Sequence, residues 1–286
     1  MPIALTGGSG GLGRAVAEAA LARGQAVVSS DRAVPPEPER LPGVRYLAAD
    51  ATDFDALRAA FAGCDALIHL AAIPHPRGFP PQVVHNNNVV GSYNALLAAV
   101  ENGIARICLA SSVNAIGQAF SRAPRYDYFP LDEAHPNYCE DAYSLSKWIA
   151  EQQADAFARL HDGLSIASLR FHWVLPDRET AAARYADPTT RVDRYLWGYV
   201  RRDAAAEACL HAVETDLACH EVFYVTAPDT AADAPSRALA ARHFPGIPIR
   251  GPFAGRASFM SSAKAERLLG WRHPAGPVLP ASLKQS

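Results

Sequence analysis

A tyrosine and a lysine separated by three residues, Tyr143 and Lys147, form the pair with the most obvious chemical use in this sequence. In a helix, residues four apart lie on one face. An unperturbed tyrosine has a pKa near ~10 and is a poor base at neutral pH, but a neighbouring ammonium stabilises the phenolate and lowers that pKa. The spacing therefore predicts that Tyr143 is a general acid–base assisted by Lys147. A surface tyrosine beside a solvated lysine fits the same spacing, so the pair needs support from the rest of the chain.

A glycine-rich turn follows the first apolar run of the chain. It reads Thr6-Gly7-Gly8-Ser9-Gly10-Gly11-Leu12-Gly13 and lies between a predicted strand and a predicted helix. Gly7 allows a tight turn, Gly10 lets the backbone approach a pyrophosphate, and Gly13 lets the helix pack against the strand. Free N–H groups and the helix dipole favour anions there. The turn predicts a dinucleotide site contacted by Gly7, Gly10, Gly11, Leu12 and Gly13.

Two acidic residues and an arginine are expected to select the dinucleotide. Asp31 ends the second predicted strand, near the spacing of about 20 residues after the glycines at which a carboxylate binds the ribose hydroxyls. This carboxylate repels a 2′-phosphate and favours NAD over NADP, although the neighbouring Arg32 could accept such a phosphate. Asp50, followed by Ala51, is expected either to bind adenine or to begin the next helix, a role that Thr52 or Asp53 fits equally well.

The composition argues against several other functions. The chain has 286 residues, 49% of them hydrophobic, with 27 basic and 29 acidic residues. Because the charges are balanced and form no run of one sign, we expect no nucleic-acid partner. Five scattered cysteines without a C-x-x-C pair predict reduced thiols, no metal site and a cytoplasmic location. No leader sequence and no membrane-spanning segment are expected.

The elements that must position these residues alternate between short apolar strands and longer amphipathic helices, including predicted helices over 88–101 and 141–161. The alternation predicts an α/β fold, a Rossmann-type doubly wound parallel sheet with a small interleaved C-terminal substrate lobe. Residues 1–170, completed by roughly 200–228, are predicted to form the NAD-binding domain. The lobe is predicted to comprise 171–199 and 229–286, where the pattern weakens and 175–195 are polar.

Five segments, in this order and approximate spacing, resemble the extended short-chain dehydrogenase/reductases, and among them the NAD-dependent epimerase/dehydratase branch. The resemblance is specific over residues 1–175 and fainter beyond. Its segments are the glycine turn, His69-Leu70-Ala71-Ala72, Asn87-Asn88-Val89-Val90-Gly91, Ser111-Ser112 and Tyr143-x-x-x-Lys147.

The resemblance implies a role for each matching residue. Tyr143 would be the acid–base, Lys147 would hold the nicotinamide ribose, and Ser112 would hydrogen-bond the reacting substrate oxygen, unless Ser112 is only a cap at the strand end. The cofactor would be NAD, and the helices at 88–101 and 141–161 would pair in a homodimer. The further implied cofactor contacts are Leu70, Ala71 and Ala72 under the adenosine, Asn88 bracing the cofactor side of the site, and Phe171 by the carboxamide.

The chain departs from the nucleotide-sugar epimerases at Trp173, where those enzymes usually carry an asparagine that helps to hold the nucleotide diphosphate. The segments 63–70 and 109–117 look closer to uronate dehydrogenases, which oxidise a free sugar acid and need an arginine for its carboxylate. Trp173, Arg191 and Arg194 are therefore assigned to the substrate site, with Arg184 as a further candidate. Asn114 would either touch the substrate or be a loop residue.

These patterns predict an NAD-dependent oxidoreductase that moves hydride between nicotinamide and a small molecule, namely a sugar, a sugar acid or a similar secondary alcohol. A nucleotide-sugar 4-epimerase or dehydratase is one alternative, distinguished because an epimerase retains its cofactor whereas a dehydrogenase consumes added NAD. A dinucleotide-binding regulator without chemistry is another. Such a regulator would not need Tyr143, Lys147 and Ser112 together.

Overall fold

The computed structural model describes residues 1–274, and it has the predicted doubly wound α/β fold. Its strands are β1 (Ile3–Thr6), β2 (Val27–Asp31), β3 (Val44–Ala48), β4 (Ala66–His69), β5 (Arg106–Ser112), β6 (Ser165–Phe171), β7 (Val174–Leu175), β8 (Val200–Arg201) and β9 (His220–Val225). Seven of them form a parallel sheet in the order β3-β2-β1-β4-β5-β6-β9. Since the order reverses between β1 and β4, a crevice opens at the carboxyl ends of these strands, where α/β proteins bind ligands.

Helices cover both faces of this sheet. They are α1 (Gly11–Ala22), α2 (Phe54–Ala60), α3 (Pro81–Glu101), α4 (Ala142–Leu160), α5 (Arg178–Ala186), α6 (Val192–Tyr195), α7 (Arg202–Glu214), α8 (Ser236–His243) and α9 (Ala263–Leu269). On one face, α1, α7 and α9 pack over a core that includes Ile3, Val16 and Phe223. On the other, α2, α3 and α4 pack over a core that includes Leu67, Ile107 and Phe157. The central strands β1, β4 and β6 are buried along their whole length, as their apolar sequences predict.

Two segments differ from the sequence-based expectation. The helix predicted at 88–101 begins earlier, at Pro81, because proline lacks an N–H that the first turn would leave unpaired. The polar stretch 175–195 contains α5 and α6 rather than only connections, and α5 is capped by Asp177, whose carboxylate accepts from the Thr180 N–H at 2.7 Å.

A second hydrophobic cluster lies beside the sheet. It combines the segment after β5, including Ile116 and Phe129, with α6, with Trp197 just beyond it, and with the region after β9, including Phe259. Beside it, β7 and β8 form a separate parallel pair. The segment after β5 therefore packs with the predicted lobe although the sequence analysis placed it in the cofactor domain. The predicted lobe runs to residue 286, and its last part, 275–286, lies outside the described residues.

Candidate active site

The glycine turn between β1 and α1 is closely packed. Gly7 has a φ of +71°, a conformation that L side chains rarely adopt. A Cβ on Gly13 would lie 2.3 Å from the Gly7 carbonyl oxygen and 2.7 Å from the Gly8 Cα. No side chain caps the N-terminus of α1 at Gly10, so its first amides remain available to a ligand. The turn therefore meets the steric and electrostatic needs of a pyrophosphate.

Asp31 lies at the end of β2 beside this turn. Its Oδ2 accepts from the Ser9 N–H at 3.1 Å, and its Oδ1 accepts from the Arg32 N–H at 2.8 Å. Each carboxylate oxygen has two acceptor sites, so both retain capacity for ribose hydroxyls. Of the predicted cofactor residues, the crevice is lined by Gly7, Gly10, Leu12, Gly13, Asp31, Arg32, Asp50, Ala51, Leu70, Ala71 and Ala72.

Asp50 stabilises the turn that follows β3. Its Oδ1 accepts from both the N–H and the hydroxyl of Thr52 at 2.8 Å, and the Thr52 N–H, opposed by burial, lowers the pKa of Asp50. The helix-capping role belongs to Asp53, which accepts from the Ala56 N–H at the start of α2. Asp50 therefore does not begin the helix, and it faces the crevice together with Ala51.

The three predicted catalytic residues meet at the ends of β5 and α4. Asp141 caps α4 by accepting from the Tyr143 and Ser144 N–H groups at 3.0 Å, which fixes the first turn that carries Tyr143. Ser112 is the last residue of β5, and Phe171 lies opposite it on β6. The Lys147 Nζ donates to the Ala110 carbonyl at 2.7 Å and lies 6.0 Å from the centre of the Tyr143 ring.

Burial dominates the electrostatics of these groups. It raises the pKa of Tyr143 to about 12, the opposite of the lowering by Lys147 that the sequence predicts, while a hydrogen bond with the Ser112 side chain acts in the lowering direction. Burial lowers the pKa of Lys147 to about 8, while the charge of Glu151 acts in the opposite direction. The phenol therefore carries its proton at neutral pH, and the amine is close to its titration range. Ser112 also caps the turn after β5, since its Oγ accepts from the Asn114 N–H at 3.1 Å.

Asn88 joins two elements of the site. Its Oδ1 accepts from the Ile73 N–H at 2.8 Å, and its Nδ2 donates to the Ile73 carbonyl at 3.1 Å and to the Ser146 hydroxyl at 3.0 Å. Asn88 thus fastens the loop after β4 to the helix that carries Tyr143. Gly11 lies at the first turn of α1 against the side chain of Arg202.

The predicted substrate residues are engaged mainly with other protein groups. The Asn114 side chain accepts from the Ala119 N–H at 2.8 Å. Arg191 pairs with Asp193 at 3.0 Å. Arg194 donates to the carbonyls of Ser121 at 2.6 Å and Arg122 at 2.9 Å.

Trp173 follows β6 and is half-buried among aromatic rings. Its ring lies 5.4 Å from that of Tyr185 and 4.4 Å from that of Tyr195, nearly parallel to both. The guanidinium of Arg184 lies 5.6 Å from the Trp173 ring centre. This aromatic group belongs to the second hydrophobic cluster and forms its surface near the end of β6.

Several residues of the site carried no signal in the sequence. Ala49, Pro74, Asn87 and Ala110 complete the lining of the crevice. Phe120 packs edge-on against Tyr143, with ring centres 5.7 Å apart. Asn87 lies in the segment 87–91 that carries the resemblance but was not assigned to the site, and the other positions belong to no motif because the fold alone brings them there.

A buried ion pair lies one helical turn beyond Lys147. The Glu151 carboxylate accepts from Arg170 through two bonds, Nε–Oε1 at 2.9 Å and Nη2–Oε2 at 2.8 Å, and from the Ser111 hydroxyl at 2.5 Å. The side chains of Glu151 and Arg170 are 2% and 7% exposed. The pair ties α4 to the ends of β5 and β6, next to Lys147 and Ser112.

Residues 1–274 contain neither a metal site nor a membrane-spanning helix. No group of three or more His, Cys, Asp or Glu side chains is arranged to hold a metal ion in that part of the chain. None of its helices is both long enough and apolar enough to cross a membrane.

Comparison with known proteins supports the resemblance. An L-arabinose 1-dehydrogenase (NAD(P)(+)) from Haloferax volcanii is 32% identical over 199 residues, which are 64% of this chain and 74% of that protein. An NAD-dependent glucose-6-phosphate dehydrogenase from the same organism is 31% identical over 46% of this chain and 52% of that protein.

Solved structures match over 96% of this chain. A UDP-glucose 4-epimerase from Thermotoga maritima with UDP-glucose is 20% identical, with a TM-score of 0.71 over 94% of that chain. A mutated uronate dehydrogenase is 21% identical, with a TM-score of 0.66 over 82% of that chain. At these identities the likeness shows the fold alone. Residues 3–215 match the model of the NAD-dependent epimerase/dehydratase family, and the chain belongs to that family.

Proposed function

We propose that this protein is an NAD-dependent oxidoreductase that transfers hydride between a nicotinamide cofactor and a sugar or similar small secondary alcohol. The observation that carries the proposal is the meeting of Tyr143, Lys147 and Ser112 beside the crevice that begins at the glycine turn. Fold alone would not support an activity, because one fold serves many functions. The three side chains supply an acid–base, a charge and a hydrogen-bond group at one place.

NAD fits the residues of the crevice. The free amides of α1 suit the pyrophosphate, and the closely packed Gly7 and Gly13 let it approach the backbone. Asp31 keeps acceptor capacity for the ribose hydroxyls, which favours NAD over NADP. We assign Asp50 and Ala51 to the adenine side, Gly11 to the pyrophosphate and Phe171 to the nicotinamide side, and Asn88 supports the adjoining loop.

In this assignment the bound nicotinamide supplies the hydride acceptor. Tyr143 takes the proton of the substrate hydroxyl at its phenolic oxygen, or returns it in the reverse direction. Because burial raises the pKa of Tyr143 to about 12, the side chain is protonated at neutral pH, and forming its phenolate to accept the substrate proton needs the positive charge of Lys147. Ser112 orients the substrate oxygen towards Tyr143 and assists by lowering the pKa of the phenol.

We propose that the cofactor-binding and substrate-binding segments are the ones that the sequence predicts. Residues 1–170 with roughly 200–228 bind the cofactor, and 171–199 with 229–286 hold the substrate, with Asn114 and Trp173 at the boundary. Support comes from the separate hydrophobic cluster, whose aromatic surface includes Trp173. Arg191 and Arg194 would reach a substrate only by exchanging their present partners.

We also propose a cytoplasmic homodimer. One face of α3 exposes three large side chains, Val83, Val90 and Tyr93, which are 42%, 43% and 47% exposed. Their spacing of seven and three residues places them on one side of the helix, as a helix-to-helix interface requires. The cytoplasmic location rests on the five cysteines, none of which is paired.

The test follows the absorbance of reduced nicotinamide with a panel of sugars, sugar acids and secondary alcohols, with NAD and NADP in parallel. We expect stoichiometric reduction of NAD, and a loss of about 100-fold or more in kcat for Tyr143→Phe. Tyr93→Phe is the matched control, because this exposed tyrosine lies on α3 away from the site. Reduction of NADP but not NAD would refute the role of Asp31. An unchanged kcat in Tyr143→Phe would refute the catalytic role of Tyr143.

A nucleotide-sugar 4-epimerase or dehydratase is the second candidate, since the family whose model matches residues 3–215 includes both activities. The same residues would serve it, but the cofactor would be retained. This candidate would be favoured if the protein converted UDP-glucose without added NAD and if no compound of the panel produced reduced nicotinamide.

A further inference from the structure

An arginine on the loop between β4 and α3 lies next to the aromatic ring that covers Tyr143. The guanidinium of Arg77 is 5.7 Å from the centre of the Phe120 ring. Phe120 in turn packs edge-on against the Tyr143 ring at 5.7 Å and 83°. Phe120 and Tyr143 share one small cluster with Ile73 and Val84. Arg77 is thus two ring contacts away from the proposed acid–base.

No protein group neutralises this charge in the described part of the chain. Arg77 is exposed, and its side chain forms no ion pair and no hydrogen bond with any of residues 1–274. The aromatic contact holds the guanidinium near Phe120 without consuming its N–H donors. A guanidinium has five such donors in a planar arrangement that matches a carboxylate or a phosphate.

The other arginines around the site differ from Arg77. Arg191 already pairs with Asp193, and Arg194 is held by two backbone carbonyls. Arg184 lies over Trp173, and no ring contact connects that aromatic group with Phe120 or Tyr143 among the described residues. Arg77 is therefore the arginine that combines free donors with a contact to the Tyr143 cluster.

We propose that Arg77 binds an anionic group, a carboxylate or a phosphate, at the end of the substrate opposite to the reacting carbon. The proposal rests on the proposed function for the position of the reacting carbon. The Phe120 ring lies between Arg77 and Tyr143, 5.7 Å from the guanidinium and 5.7 Å from the Tyr143 ring, so the two groups can contact different parts of one ligand. A bidentate contact of this kind gives orientation as well as affinity, which places the hydroxyl at Tyr143.

The test measures binding to the full-length protein with NADH present, so that no oxidation occurs, by isothermal titration with D-glucuronate, D-glucose 6-phosphate and D-glucose. The first two probes separate a carboxylate from a phosphate, and the third is neutral. We expect at least one anionic probe to bind more tightly than glucose. Arg77→Met should weaken that binding at least about tenfold and leave the affinity for glucose unchanged.

Two further variants make the result specific. Arg250→Met is the matched control, because its guanidinium is also exposed and also lies over a ring, that of Tyr128 at 3.5 Å. It should bind all three probes as the wild type does. Arg184→Met tests the competing candidate for the anion, and a loss of anion binding in that variant instead of Arg77→Met would overturn the proposal.

The remaining outcomes separate the inference from the proposed function. The inference would be overturned by any of three results. The charged and neutral probes could bind with equal affinity, no probe could bind, or Arg77→Met could bind the anionic probes as tightly as the wild type. Reduction of NAD with glucose that is insensitive to Arg77→Met would leave the proposed function standing alone. Binding of an anionic probe that depends on Arg77, without reduction of NAD by any compound, would support the subsite and refute the dehydrogenase.

Discussion

The buried pair between Glu151 and Arg170 permits a quantitative prediction. Replacing either residue with methionine keeps a similar side-chain length but leaves the other charge buried without its partner. Breaking such a pair costs about 3–5 kcal/mol. Because both side chains are almost fully buried and share two short bonds, we expect each single variant to lie in this range. A typical domain is stable by about 5–15 kcal/mol, so the free energy of unfolding should fall by a large fraction.

The variant that carries both substitutions shows whether the two charges stabilise the protein as a pair or independently. With both charges removed, the apolar pair fills a similar space, and the remaining losses are the acceptor of the Ser111 hydroxyl, about 1 kcal/mol, and the contact of the Arg170 guanidinium with the Tyr224 ring. We therefore expect Glu151→Met with Arg170→Met to be more stable than either single variant. The coupling energy between the two sites should be at least about 2 kcal/mol.

Urea denaturation of the four proteins, with the slope m held constant, measures these differences. If the single variants cost less than about 1 kcal/mol, or if the double variant loses the sum of both, the pair is not the anchor described above. Activity gives a second readout, because the charge of Glu151 opposes the lowering of the Lys147 pKa by burial. In Glu151→Met we expect that pKa to fall further and the alkaline limb of the pH–rate profile to move to lower pH.

Three other predictions concern the crevice, acid stability and assembly. Gly13→Ala should weaken NAD binding at least about tenfold by titration, since its Cβ would meet the Gly7 carbonyl at 2.3 Å; unaltered binding would show that the turn is not closely packed. Burial lowers the pKa of His69 to about 3 and of His172 to about 4, so only the unfolded chain takes up these protons as the pH falls from about 6.5 to about 4. The free energy of unfolding, measured with urea, should therefore fall by about 1.4 kcal/mol per pH unit for each histidine. In His172→Gln the contribution of that histidine to the pH dependence should be absent. Tyr93→Glu should convert a dimer into a monomer in light scattering, and a monomeric wild type would refute the interface.

Much of the sheet could be predicted because its strands are short apolar runs between glycines, helix caps and polar turns. The glycine turn and the Tyr143 segment were recognisable because their chemistry depends on spacing within a few residues. The start of α3 at Pro81 was missed, because the polar residues 85–88 conceal the helical period. The helices within 175–195 were missed for a similar reason, since few apolar residues mark them.

The sequence could not reveal which arginines are already engaged. Arg191 and Arg194 were assigned to substrate because of their charge and position. Their partners are Asp193, two residues away, and carbonyls more than seventy residues away. The contact of Arg77 with Phe120 joins two loops from different βα units, so it depends on the closed fold. Local patterns carry no information on such encounters.

Asn88 fixes the relative position of two elements of the proposed substrate site. Its amide binds the loop after β4 on one side and Ser146 of α4 on the other, and both attachments are buried. The loop that carries Arg77 and the helix that carries Tyr143 therefore keep a set distance from each other. If Arg77 binds the anion as proposed, a substrate must place its anion and its reacting hydroxyl at the separation that this link holds.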